Sequence, residues 1–244
     1  MDFRFLGETF MTLLAALPLT LYLALVSSIC GALGALVLAL MRLSSARPLS
    51  LIARAYVFVF RGTPLLIQLF LIYYGLGQFR PSLQMLGLWP FFRDPIYCTI
   101  AALAMNTAAY GSEIVRGGLA AVPRGAVEAA IACGMSPGLR FRRVVLPLAT
   151  RIALPAYGNE LIVMVKATSL ASTITIMEVT GIAGKLIAET YRTMEIFACA
   201  AAIYLLINFV LTRLVLTLEW WMSPDRTTRR VLEQIGETKV KVTA

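Results

Sequence analysis

The chain has no histidine anywhere in its 244 residues, which removes together the commonest general acid–base group and the commonest metal ligand. Four cysteines, Cys30, Cys98, Cys133 and Cys199, are scattered with no pair at metal-ligand or redox spacing. They read as small buried residues. A phosphate-cradling G-x4-G-K-[ST] loop is also missing, as is any convincing pairing of nucleophile and base. The sequence therefore predicts no catalytic residue, no metal site and no cofactor held by this chain. Charge is scarce too, at 14% of residues. Near the N-terminus, Asp2, Arg4 and Glu8 precede an apolar run too long for a signal peptide, so that run is expected to be retained.

What the sequence does hold is apolar: 59% of residues are hydrophobic and the mean hydropathy is +0.79, beyond the range of a soluble domain. An all-α membrane protein is predicted. Crossing the hydrocarbon takes about 20 residues at about 1.5 Å of rise each. Five segments qualify, over about 12–41, 53–76, 97–115, 152–177 and 196–218. A net charge of +9 would suit nucleic acid, but the basic residues lie between the apolar runs, where they report topology.

Three connections are strongly basic: Arg42, Arg47 and Arg54; then Arg116, Arg124, Arg140, Arg142, Arg143 and Arg151; then Arg226, Arg229, Arg230, Lys239 and Lys241. The other two are sparse or balanced, with Arg80, Arg93 and Asp94 in one, and Lys185 and Arg192 against Glu178, Glu189 and Glu195 in the other. Since Lys and Arg stay preferentially on the inner side, five spans run with the N-terminus out and the C-terminus in. Trp89, Phe91 and Phe92 mark an outer boundary, and Trp220 and Trp221 an inner one. Residues 1–225 form one transmembrane unit on this reading, and 226–244 a cytoplasmic tail, polar from about Leu232.

The inner connection over about 120–150 is too long for a simple turn. Val127, Ala130, Ile131 and Met135 recur at helical spacing, Gly134 stands where a helix can end, and Ser136 with Pro137 can start another. Pro147 is expected to close the segment. A basic helical element on an apolar chain is suited to a soluble partner. Two alternatives stay open: a loop bound to lipid headgroups, and a DNA-binding helix-turn-helix, which the flanking spans would pin at the bilayer surface.

Glu128-Ala129-Ala130, three residues, Gly134, nine residues, then Val144, Leu146 and Pro147 resemble the E-A-A-x3-G-x9-I-x-L-P loop of inner-membrane permeases of ABC importers. Val144 for Ile is a conservative departure. The resemblance continues through Arg61-Gly62-Thr63-Pro64-Leu65-Leu66-Ile67-Gln68, Ala109-Tyr110 with Glu113, Arg116-Gly117-Gly118, Leu154-Pro155 and Lys166 with Thr168-Ser169-Leu170. It is greatest to the M-type permeases of the histidine, arginine and opine (octopine, nopaline) branch; Ala167 departs from the acidic residue of many relatives. This implies a type I ABC importer permease fold in the bacterial inner membrane. It also implies a second permease subunit, an ABC ATPase that binds ATP and Mg, and a periplasmic solute-binding protein. Glu128, Ala129, Ala130, Gly134, Leu146 and Pro147 would serve the ATPase contact.

Ionisable or polar groups inside hydrocarbon are costly and usually face a cavity or a partner. Glu160, beside Asn159, is a candidate for a cationic substrate group, the alternative being an arginine of another helix or simple exposure at a span end. Asn106 and Tyr110, one turn apart, could line the same cavity, as could Thr168 and Ser169; interhelical hydrogen bonding is the competing role. Arg61 to Pro64 interrupts the second span, because Pro64 lacks an amide donor and disfavours helix at Thr63. Arg61 and Thr63 are thereby expected beside the path or the partner, or Arg61 snorkels to the inner face. The rival function is a channel or ion-coupled carrier using Glu160 and Lys166, without an ATPase.

Overall fold

The computed structural model describes residues 3–222, so Asp2 and the basic tail with Arg226, Arg229, Arg230, Lys239 and Lys241 lie outside the described residues. Within them every regular element is helical, as expected. In chain order these are α1 (Phe3–Ala15), α2 (Leu17–Leu43), α3 (Arg47–Gly62), α4 (Leu65–Phe70), α5 (Arg80–Met85), α6 (Trp89–Phe92), α7 (Pro95–Ala120), α8 (Arg124–Ala132), α9 (Pro137–Arg140), α10 (Leu146–Ala167), α11 (Val179–Thr190) and α12 (Thr193–Met222). Two π-helical turns, Leu71–Gly75 and Phe141–Val145, and one 3-10 stretch, Thr168–Ile174, join them.

By length and composition two stretches among the described residues can cross a membrane unaided, Phe3–Leu43 and Thr193–Met222. Two further candidates are bent pairs, Arg47–Gly62 with Leu65–Gly75 at 108° and Pro137–Ile174 with Val179–Thr190 at 47°. The helix at the centre of the bundle, α7, is not among these candidates. Asp94 caps it by accepting from the Ile96 amide at 2.9 Å, and Pro95 sits in its first turn, where its missing donor costs nothing.

The tightest packing joins α2 to α7 through small residues. A Cβ added at Gly31 would lie 2.7 Å from Thr107, one at Gly34 2.8 Å from Ala108, and one at Gly111 2.8 Å from Ala35. Backbones this close gain dispersion contacts that lipid cannot compete for. Against this pair pack α3 and α4 on one flank and α10 on another, and α10 leans on α12. A second core joins α1, α11 and α12 through Leu13, Val179, Ala183, Ile196 and Ile203.

Three features differ from the sequence expectation. Residues 178–195 are not merely a loop, since they contain α11, which packs its apolar side on α12. The helix expected over 152–177 leaves α-geometry at Thr168 and stops at Thr175, whose φ is +73°. Pro147 closes nothing: helix runs straight on from Phe141 into α10. The π turn explains this, because Leu146 donates five residues back to Phe141 and Pro147, lacking an amide, falls where the ladder changes register.

Candidate functional site

The expected coupling element is a pair of short helices, α8 and α9, separated by a tight stop. Ala132 is the last residue of α8, Cys133 caps it, and Gly134 follows with φ +72°. The Gly134 amide donates to Ile131 at 2.9 Å and the Met135 amide to Ala130 at 3.1 Å, the paired closure of a Schellman motif. No atom crowds a Cβ at Gly134, so it is the left-handed backbone that requires glycine. Ser136 and Pro137 then open α9, as the sequence predicts.

Within α8, Ala130 is the buried residue, 4% exposed, and the helix packs against α9 and the Phe141–Val145 turn. Glu128, Ala129, Ile131 and Gly134 are exposed, and Glu128 makes no ion pair among the described residues. A carboxylate, small residues and an apolar Ile131, 53% exposed, thus share one exposed surface. Leu146 and Pro147 are exposed at the foot of α10.

The second constellation surrounds the break between α3 and α4. Thr63 and Pro64 leave helical geometry, which frees carbonyls of the last turn of α3. Gln68 fills the gap: its amide nitrogen lies 2.8 Å from the Phe60 carbonyl, 3.1 Å from the Thr63 carbonyl and 2.8 Å from Thr63 Oγ1. Asn106, from α7, donates to Gln68 Oε1 at 3.0 Å and to the Phe60 carbonyl at 3.4 Å. Arg61 lies over the ring of Tyr110, 5.2 Å from its centroid.

Of the eight candidate substrate residues, then, Arg61, Thr63, Asn106 and Tyr110 meet at one place. The residue missed there is Gln68, 6% exposed, and its signal was available: a lone amide one turn after a proline break in an apolar run. The other four belong to α10 and its extension. Helices α7 and α10 run antiparallel, with Gly118 against Ala149, Gly111 against Tyr157, and Leu103 in one cluster with Met164. Glu160 therefore stands at the depth of Asn106 and Thr107, half-buried, with Asn159 exposed beside it. Thr168 is fully buried and donates to the Val165 carbonyl, and Ser169 donates to the Lys166 carbonyl. Both hydroxyls are satisfied by their own helix.

One acidic residue is misplaced by sequence. Glu178 belongs to no solvated outer loop; it is fully buried. Its Oε1 caps α11 by accepting from the Gly181 amide at 2.9 Å, and its Oε2 accepts from Tyr204 at 2.8 Å and from Thr20 at 3.5 Å. No cation pairs with it among the described residues.

Residues 28–223 match the family described as binding-protein-dependent transport system inner membrane component. The chain is 56% identical over 230 residues to the octopine transport system permease protein OccM of Rhizobium radiobacter, covering 94% of each. It is 41% identical over 196 residues to the histidine/lysine/arginine/ornithine transport system permease protein HisM of Escherichia coli K12, covering 80% of this chain and 82% of that one. Among solved structures, an amino acid ABC transporter crystallised with histidines superposes with a TM-score of 0.80 at 36% identity, over 90% of this chain and 98% of that one.

Proposed function

The chain belongs to the family of inner-membrane components of binding-protein-dependent transport systems, and on that premise we propose how it works as a permease subunit of an ATP-driven importer. It resides in the bacterial inner membrane, and a separate ABC ATPase subunit binds ATP with Mg and hydrolyses the ATP. Its solutes are basic amino acids or opines, by likeness to relatives that carry octopine and to relatives that carry histidine, lysine, arginine and ornithine. Five spans form its membrane unit, supplied by the α1–α2 run, the broken α3–α4 pair, α7, α10 with its extension, and α12. The charge asymmetry of the connections supports an outer N-terminus and an inner C-terminus.

The observation that carries the coupling role is the exposed α8–α9 pair, with Glu128 turned outward on a chain that has no nucleotide motif. That pair docks on the ATPase, and its displacement drives alternating access around a midplane site. A second permease subunit, identical or homologous, completes the path, and a periplasmic binding protein delivers the solute. Arg61, Thr63, Asn106 and Tyr110 line one wall of the path, and Glu160 on α10 at the same depth attracts the cationic group. A channel or ion-coupled carrier would leave α8 and α9 without a role.

Purification of the complex with Glu128→Lys and with Gly134→Val tests the docking. Both variants are expected to lose most of the ATPase subunit, and retention at wild-type stoichiometry in both would sink the coupling reading. For the solute, uptake of arginine and of a neutral amino acid is compared in wild type and Glu160→Gln. The cationic solute is expected to suffer more; equal losses would remove Glu160 from the selectivity site.

A further inference from the structure

We infer that Glu113 is a positioning residue that makes the loop-proximal ends of α2 and α7 move as one body with α8; this rests on the coupling role proposed above. Its carboxylate is shared between two arginines. One oxygen pairs with the guanidinium of Arg42, in the last turn of α2, and the other accepts from Arg116 Nε at 2.8 Å.

The two pairs differ in what they can hold. Arg116 is three residues away on the same helix with its side chain 49% exposed, so it joins nothing that the backbone has not already joined. Arg42 and Glu113 come from different helices, and their side chains are only 16% and 19% exposed. Solvent screens such a pair less, so it resists separation of α2 from α7. Arg116 then anchors the second oxygen and fixes the carboxylate's orientation.

On another flank the same stretch of α7 is held by close contact. A Cβ at Gly118 would lie 2.8 Å from the Ala149 carbonyl oxygen and 2.9 Å from Ala153 Cβ, so α7 and α10 touch backbone to backbone. Beyond Gly118 only the end of α7 and a linker of Ala121, the buried Val122 and the exposed Pro123 precede α8. A push on α8 therefore arrives at a part of α7 gripped from both α2 and α10. It is passed to both helices rather than absorbed in a local bend.

The test uses the complete complex in proteoliposomes, with labelled octopine and arginine supplied together, and reads solute moved per ATP hydrolysed alongside ATPase content. Glu113→Gln and Arg42→Gln are each expected to lower that ratio about tenfold with the ATPase still bound, and the double variant no further. Arg116→Gln is expected to lower it less than about twofold. Reversing all three charges, R42E/E113R/R116E, restores both pairs and should restore the ratio. Arg42→Gln removes the same pair from the α2 side and decides the matter if Glu113→Gln fails to accumulate. A wild-type ratio in either single variant would overturn the proposal. So would loss of the ATPase from them, because Glu113 would then serve docking and not transmission. The coupling reading fails separately, if Glu128→Lys and Gly134→Val keep their ATPase.

Discussion

Two of the apolar helices are broken, and the breaks are repaired with different chemistry. At Thr63–Pro64 the chain turns by 108°, and two neutral amides, Gln68 and Asn106, cover the freed carbonyls. At Thr175–Met177 it turns by 47°, and a carboxylate, Glu178, covers freed amides while drawing in Tyr204 and Thr20. Each choice follows from which end of a helix needs help. The end of α3 exposes acceptors, which amide N–H groups satisfy; the start of α11 exposes donors, for which a carboxylate is the stronger partner. The first break lies at mid-depth beside Asn106, whereas the second lies near the capped start of α7, where Ile176 packs with Ile96 and Ile100. The brace at the first break includes Asn106 on α7, the helix that leads to α8. The brace at Glu178 ties α2, α11 and α12 and touches neither α8 nor α9.

That contrast can be broken by removing each brace in turn. The largest effect is expected from Glu178→Ala, which uncaps α11 and removes the acceptor shared by Thr20 and Tyr204, at about 3 kcal/mol on the scale of a lost cap plus lost buried hydrogen bonds. Reversible unfolding of the purified protein in mixed micelles measures it. Glu178→Gln keeps one carbonyl acceptor and should cost about 1 kcal/mol. If Gln and Ala cost the same, the carboxylate is not acting through hydrogen bonds.

Next comes Gln68→Ala, expected at about 2 kcal/mol because the Phe60 and Thr63 carbonyls lose their main donor in an apolar setting. Asn106→Ala should cost less alone, and the double variant less than the sum, since one amide bonds to the other. Additivity would show that the two act separately. Unlike Glu178→Gln, Gln68→Ala is also expected to slow transport, because it loosens the wall formed by Arg61, Thr63 and Tyr110.

How much of this was legible beforehand differs between the breaks. Pro64 announces the first one, because proline's missing donor is written in the sequence, and only its partner Gln68 went unread. Nothing comparable announces the second. Thr175 carries no sign of a left-handed backbone, and Glu178 among Lys185, Glu189, Arg192 and Glu195 has the look of one charge in a solvated loop. Burial of a carboxylate depends on hydroxyls 158 residues earlier, at Thr20, and 26 residues later, at Tyr204. One-dimensional charge counting cannot register such contacts. In the α8–α9 connection, local chemistry sufficed for the α8 stop at Gly134 and the α9 start at Pro137. It failed at Pro147, because a π turn lets a helix pass a proline that an ordinary ladder would not.

A third interruption, at Gly134, sharpens the point that surroundings set the cost. Its backbone is exposed, so water can satisfy what a disturbed Schellman closure releases. Gly134→Ala should therefore cost only about 1 kcal/mol, the price of a left-handed alanine. The same variant should weaken ATPase retention out of proportion to its stability, which copurification against an unfolding curve separates.

The smallest expected effect has the opposite sign. Thr175 holds φ +73°, a conformation that a β-branched residue adopts at a cost of about 1–2 kcal/mol, whereas Pro64 at the first break sits at an ordinary φ of −62°. Thr175→Gly removes that strain but adds about 0.5–1 kcal/mol of chain entropy to the unfolded state. The net is a gain of about 0.5 kcal/mol, read as a slight rise in the unfolding midpoint. Pro64→Gly offers no strain to relieve and loses a fixed φ, so it should lower the midpoint instead. Opposite signs at the two sites would establish that one turn is imposed on its sequence by Glu178 and its partners, and the other is encoded by its own proline.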